Sequence, residues 1–256
     1  MIRKRLVGVV TVKQGRAVQS FGYQRYLPLG RPEVLIENLD RWGADEILLQ
    51  CIDRSVGGLG PDFPLLERVS RMGLSTPLIY AGGIRTVAEG VAAVSAGADR
   101  ISLDAILHEQ PAVATGLCES LGAQALIASL PLTRTGATLG WFDYRNRRAV
   151  PLSADLQSVL RSGVISEALI IDARHEGQPG GFDQSLLTAL PFQVPLIAFG
   201  GLSEIAQLRA VLQLPQTVAA AVGNFLSYRE HAIQHYKQQL AGLPVRTASY
   251  EQSSYF

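Results

Sequence analysis

The chain has 256 residues, 47% of them hydrophobic and 18% charged, with a net charge of +1. That length suits two average domains or one large α/β barrel, and the charge balance gives no pull toward nucleic acid or an acidic surface. No stretch approaches the ~18 apolar residues of a membrane span, and Cys51 and Cys118, lacking any CxxC or Cys/His spacing, imply neither a disulfide framework nor a structural zinc site.

The N-terminus MIRKRLVGVV is basic and then apolar. Its apolar run is too short for a signal peptide and meets Lys13, so it reads as a first strand. A soluble cytoplasmic protein with no metal and no cofactor is the expectation. Strand-like runs then recur at residues 6–12, 46–52, 77–81, 100–103, 124–130, 168–172, 194–199 and 217–222. They are continuous aliphatic runs, as expected of parallel strands buried on both faces. Helical patterns lie between them. The first opens at Gly30-Arg31-Pro32-Glu33 and stops at Gly43, with Leu35, Leu39 and Trp42 on one face. Another spans residues 86–97, with a threonine cap and a terminal glycine. Eight alternating units predict a single (β/α)8 TIM barrel over residues 1–256. No Gly-x-Gly-x-x-Gly follows the first strand, which argues against a doubly wound sheet.

The sequence also repeats at an offset of roughly 120 positions. Pro77-Leu78-Ile79-Tyr80-Ala81-Gly82-Gly83-Ile84 parallels Pro195-Leu196-Ile197-Ala198-Phe199-Gly200-Gly201-Leu202, and Asp62 parallels Asp183. Two half-barrels are predicted, about 1–121 and 122–244, followed by a polar tail at 245–256.

Barrel chemistry belongs on the loops after the strands. Gly82-Gly83 and Gly200-Gly201, with Ser102 and Asn224 on neighbouring loops, are candidate phosphate sites, because glycine backbones and helix N-termini receive anions. The same pairs could simply make tight turns. Asp104 would oppose a phosphate in the first site, or cap a helix. Asp53, Asp172, His175 and Glu176 are candidate acid/base groups on two polar loops, though most polar loops are solvated surface. Arg5, Glu46, Arg100 and Glu167 begin their strands and so meet at the opposite mouth, as a salt-bridge cluster or as a gate. The segment 20–28 carries three aromatics and either touches a partner or sugar, or packs over the barrel mouth.

From Arg3 to about Tyr236 the chain resembles the cyclase subunit of imidazole glycerol phosphate synthase, the HisF family. The resemblance rests on Lys13-Gln14-Gly15-Arg16, Gly43-Ala44-Asp45-Glu46, Gly82-Gly83-Ile84, Gly97-Ala98-Asp99-Arg100-Ile101-Ser102, Gly122-Ala123-Gln124-Ala125, Gly181-Phe182-Asp183, Gly200-Gly201 and Tyr228-Arg229-Glu230, in that order. It implies a barrel that takes ammonia from a HisH-like glutaminase docked at its N-terminal face. The ammonia would pass a gate at Arg5, Glu46, Arg100 and Glu167, with Asp99 touching the glutaminase, and attack a bisphosphate at the top. It also implies two catalytic aspartates. Their positions hold Thr11 and Pro131 here, or Leu130 for the second if the alignment slips by one. A third family aspartate is Cys51, a substrate-holding lysine is Gln19, and the asparagine and threonine near the first phosphate are Asp104 and Ala105. The pattern resembles paralogues of surface-polysaccharide (lipopolysaccharide) loci, which pass ammonia to a separate sugar amidotransferase. Two alternatives are a working cyclase of histidine biosynthesis with displaced groups such as Asp53, Asp172 or Glu176, and a non-catalytic scaffold or binding subunit with a blocked barrel. A small phosphorylated ligand is expected as a partner, with no nucleic acid and no membrane.

Overall fold

The computed structural model describes residues 3–136 and 138–247, apart from the Thr135 side chain. Among the described residues, twelve strands form one sheet. They are β1 (Arg5–Lys13), β2 (Arg16–Phe21), β3 (Arg25–Gly30), β4 (Glu46–Cys51), β5 (Leu78–Ala81), β6 (Arg100–Leu103), β7 (Leu126–Thr135), β8 (Thr138–Asp143), β9 (Arg148–Pro151), β10 (Glu167–Asp172), β11 (Leu196–Phe199) and β12 (Thr217–Val222). Eight of them, β1, β4, β5, β6, β7, β10, β11 and β12, are parallel neighbours in that order, and β12 pairs with β1 to close the ring. Helices alternate with them, so the architecture is the predicted (β/α)8 barrel.

Side chains alternate along each strand and split the core in two. Leu6, Val10 and Val12 of β1 join the large cluster under the helices. Val7 and Val9 join a second cluster inside the barrel, with Leu48, Ile79, Ile127 and Ile197. Helix Val87–Ser95 begins with a full capping box between Thr86 and Glu89. The sequence repeat has a physical counterpart in the glycine turns. A Cβ on Gly83 would lie 2.5 Å from the Leu59 carbonyl, and one on Gly201 would lie 2.8 Å from the His175 carbonyl. Both turns therefore pack directly on the backbone of the preceding strand's loop.

The bottom of β1 is tied down by buried charge. Leu6 N–H donates to Asp45 Oδ2 at 2.7 Å, and Lys237 Nζ donates to Asp45 Oδ1 and to the Gly43 carbonyl, each at 2.8 Å. Leu78 N–H makes the same bond to Asp99 at 2.7 Å, so each Gly-Ala-Asp segment caps the open start of the preceding strand. The beginning of the segment expected to be a polar tail is also attached, since Val245 bridges Lys4. Residues 248–256 of that tail lie outside the described residues. No described helix is long and apolar enough to cross a membrane.

The Lys237 and Asp45 side chains are only 4% and 5% exposed. Lys237→Met leaves Asp45 charged, buried and without its cation. It should destabilise the barrel by about 3–5 kcal/mol, read from the urea unfolding midpoint.

Candidate functional site

At the N-terminal mouth, four charged side chains close a ring. Arg5 contacts Glu46 at 2.8 Å and Glu167 at 2.7 Å, and Arg100 contacts the same two carboxylates at 3.1 and 3.0 Å. The two halves of the ring differ. Arg100 makes aligned hydrogen bonds to both glutamates and to Ser166 and the Gln124 carbonyl. Arg5 meets the carboxylates as ion pairs off hydrogen-bond alignment, which leaves its Nη2 and Glu46 Oε2 without a hydrogen bond. Burial pushes the Glu46 carboxyl up, against the pull of Arg5 and Arg100. Burial also opposes the Arg5 charge, but Glu46 and Glu167 outweigh it and raise its pKa. An open vestibule of about 480 Å³ lies on this face, and Asp99 lines it. Above the ring the lumen is walled by aliphatic side chains, including Val7, Leu48, Ile127 and Leu169.

At the C-terminal mouth, the same alternation decides what faces the chemistry. Arg5, Val7, Val9 and Thr11 share one row of β1, and Ile127, Ser129 and Pro131 share one row of β7. Leu130 belongs to the helix-side core, so Pro131 is the lumen-facing strand end, and it lines a cavity of about 360 Å³. That cavity is also lined by Lys13, Tyr26, Gln50, Asp53, Asp104 and Tyr144. Lys13 Nζ sits 3.8 Å from the Tyr26 ring centre. Asp53 accepts the Gln14 N–H at 2.8 Å.

Asp104 organises the first glycine turn. Gly83 N–H donates to Ser55 Oγ at 3.0 Å, Ser55 donates to Asp104 Oδ2 at 2.7 Å, and the Tyr144 hydroxyl donates to the same oxygen at 2.8 Å. A carboxylate of the protein is thus the anion that this turn serves. Asp104 precedes a short helix without capping it. Ser102 faces the lumen and bonds Ser129 at 2.8 Å.

The second glycine turn is covered by the hairpin β2–β3. Asn224 donates to the Ser20 carbonyl at 2.6 Å and accepts the Ser20 N–H at 3.1 Å. Glu176 Oε2 accepts from Ser20 Oγ at 3.0 Å and from Tyr23 N–H at 3.1 Å, and its carbonyl accepts from Gly22 N–H at 2.9 Å. A Cβ on Gly177 would lie 2.2 Å from the Ser20 carbonyl, so only glycine permits this contact. The hairpin drives Tyr23 into the top of the lumen, where its hydroxyl meets Gln50 at 3.4 Å. Burial raises the Tyr23 pKa well above normal. Only a void of about 10 Å³ remains beside Gly200, Gly201 and Asn224, and Thr11 and Glu176 also line it.

The family described as "Histidine biosynthesis protein" matches residues 5–232. The imidazole glycerol phosphate synthase subunit HisF of Myxococcus xanthus is 31% identical over 231 residues, covering 88% of this chain and 90% of that one. The corresponding subunit of Exiguobacterium sibiricum is 28% identical over 228 residues, covering 88% and 91%. A putative imidazole glycerol phosphate synthase subunit hisF2 of Vibrio vulnificus is 27% identical over 254 residues, covering 97% and 93%. The chain belongs to the HisF family.

The candidate residues of this HisF-family chain fall into separate places. Asp53 reaches the main cavity. Asp172 does not line it. Its carboxylate is buried and accepts N–H groups from Arg174, His175 and Asp183, and pairs with His175 Nδ1 at 2.8 Å. Glu176 lies under the hairpin, beside Thr11. Cys51 is buried against the helix-side core, and burial pushes its thiol up to about 12. Gln19 is buried within β2. Among the described residues no cluster of histidine, cysteine and carboxylates could hold a metal. Tyr23 and Tyr144 both line the mouth. Tyr23 lies in the aromatic segment 20–28, which packs over the barrel mouth, one of the two readings its sequence allows, while Tyr144 is not a candidate from sequence. A signal for Tyr23 existed in Phe21-Gly22-Tyr23-Gln24-Arg25, whose glycine marks a turn between two strand-like runs.

Burial pushes the Glu176 carboxyl up, offset by its bonds from Tyr23, Ser20 and Gly22. The closed hairpin therefore binds a proton more tightly than the open one. Its stability should fall as pH rises from the ordinary carboxylate range through the raised value. Both side-chain bonds use a single oxygen, so Glu176→Gln should keep the hairpin closed and remove this pH dependence. Glu176→Ala should weaken closure by about 2 kcal/mol or more, seen as faster tryptic cleavage at Arg25.

Proposed function

We propose that this chain is a HisF-like subunit that conducts ammonia from a HisH-like glutaminase on its N-terminal face to the cavity at its C-terminal face. There the ammonia serves amidation, by a third enzyme acting on a sugar, rather than cyclisation of a bisphosphate. The observation that carries the reading is the contrast along one row of β1. Arg5 at the lower end belongs to a closed ring of charge, while Thr11 at the upper end and Pro131 opposite cannot move a proton. Between them lies an aliphatic wall, which admits a neutral molecule far more readily than an ion. Each missing acid/base group costs a cyclase about 10²–10⁴-fold.

Substrate binding would meet the same obstacles. A ligand with a phosphate at each end needs both glycine turns. The first serves Asp104 through Ser55, and the second lies under the clasped hairpin. The phosphate roles considered for Gly82, Gly83, Ser102, Gly200, Gly201 and Asn224 therefore require the Asp104 link and the hairpin to open together. Asp99 sits where a docked glutaminase would meet the ring.

A second reading has one observation in its favour. Glu176 stands beside Thr11, and burial holds its carboxyl above the usual range, as a displaced general acid would require. A hairpin that opens on substrate binding would expose it.

One assay separates the two readings. Purified protein, its glutaminase and the ribulose-based bisphosphate should release ammonia from glutamine and form no imidazole product. Robust product formation that Glu176→Gln abolishes would sink the first reading and establish the second. A failure to bind any glutaminase would leave the scaffold reading in place of both.

A further inference from the structure

The rim of the C-terminal face carries a second cavity, outside the strand-end site. It is about 680 Å³, within the range of small-molecule pockets, and lies between the tip of hairpin β2–β3, hairpin β8–β9 and the loop after β10. Each of these three segments contributes one arginine: Arg25, Arg147 and Arg174. No carboxylate lines it, and none of the three arginines forms a salt bridge among the described residues. This is local, because the whole chain carries a net charge of only +1.

Two of the guanidinium groups are held in place. Arg25 lies over the Phe21 ring at 4.9 Å and Arg147 over the Phe142 ring at 6.0 Å. An arginine stacked on an aromatic face is partly ordered before any ligand arrives, so it loses less freedom on binding. The Arg174 backbone is braced at both ends, its N–H on Asp172 at 3.1 Å and its carbonyl on Gln178 Nε2 at 3.1 Å. The main cavity is the opposite case, with Asp53 and Asp104 set against a single ammonium on Lys13.

We propose that this rim cavity binds a small molecule carrying two adjacent phosphates. Three forked guanidinium groups on three segments around a cavity of this size supply paired N–H contacts on several sides, and a diphosphate offers oxygens enough to reach all three at once. The volume leaves room for a further group attached to the diphosphate. Because Arg25 rides on the hairpin tip, such a ligand also bridges the hairpin to the rest of the rim and favours its closed position.

Titration calorimetry with inorganic pyrophosphate on the full chain tests this. One saturable site is expected, at least about tenfold tighter than for orthophosphate and weakened by added salt. Arg147→Gln and Arg174→Gln should each reduce affinity about tenfold or more. Both side chains are on exposed residues, so circular dichroism should be unchanged. Lys13→Gln should leave binding as it was. The proposal is overturned if pyrophosphate shows no saturable binding, if the arginine variants bind as well as the parent, or if Lys13→Gln abolishes binding and so places the anion in the main cavity.

Discussion

Closing eight parallel strands into a ring forces each strand to present one row of side chains inward. In β1 that row runs Arg5, Val7, Val9, Thr11, and it fixes both ends of the molecule at once. A shift of one residue would put Leu6 and Val10 in the lumen and Arg5 among the helices, so the register is strongly specified. The neighbouring strands follow. β4 brings Glu46 to the bottom and Gln50 to the top, and β7 brings Ser129 and Pro131. The charge ring and the cavity are therefore consequences of one geometric rule applied to different residues.

The ring is a costly way to close a barrel end. A buried ion-pair cluster loses hydration on every member, and replacing it with packed apolar side chains is often neutral or stabilising. The two arginines meet this cost differently: Arg5 pairs with both carboxylates at 2.7–2.8 Å, while Arg100 adds Ser166 and the Gln124 carbonyl to its two glutamate bonds.

Much of this was legible in the sequence. Continuous aliphatic runs marked all eight barrel strands, and a threonine followed by glutamate three residues later marked the helix after β5. The four ring residues were identifiable because charge at a strand start has few places to go. The two hairpins were not legible as hairpins. Their turns lack Asn-Gly or Asp-Gly, and positive φ falls on Tyr23 and Arg147, residue types that do not announce it, with only Gly22 marking the first turn. β7 was read as ending at residue 130 but continues to Thr135, with Pro131 inside it. A proline argues against an interior strand position by propensity, and only the pairing Ile171 with Pro131 settles the point. The choice between Leu130 and Pro131 was likewise unavailable without knowing which face each takes.

Tyr23 shows how these parts depend on one another. Its φ is +51°, an unfavourable conformation for an aromatic residue, so something must hold it there. The holders are the lumen core, against which the ring packs, and Glu176, which takes its N–H. Ser129 and Pro131 line the same cavity as that ring, and Gln50 offers the hydroxyl a partner. Two glycines complete the fit: Gly22 takes a positive φ at the turn, and Gly177 clears the Ser20 carbonyl, which a Cβ would meet at 2.2 Å. The hairpin therefore seats through its glycines, the Glu176 bonds and the Tyr23–Gln50 contact acting together.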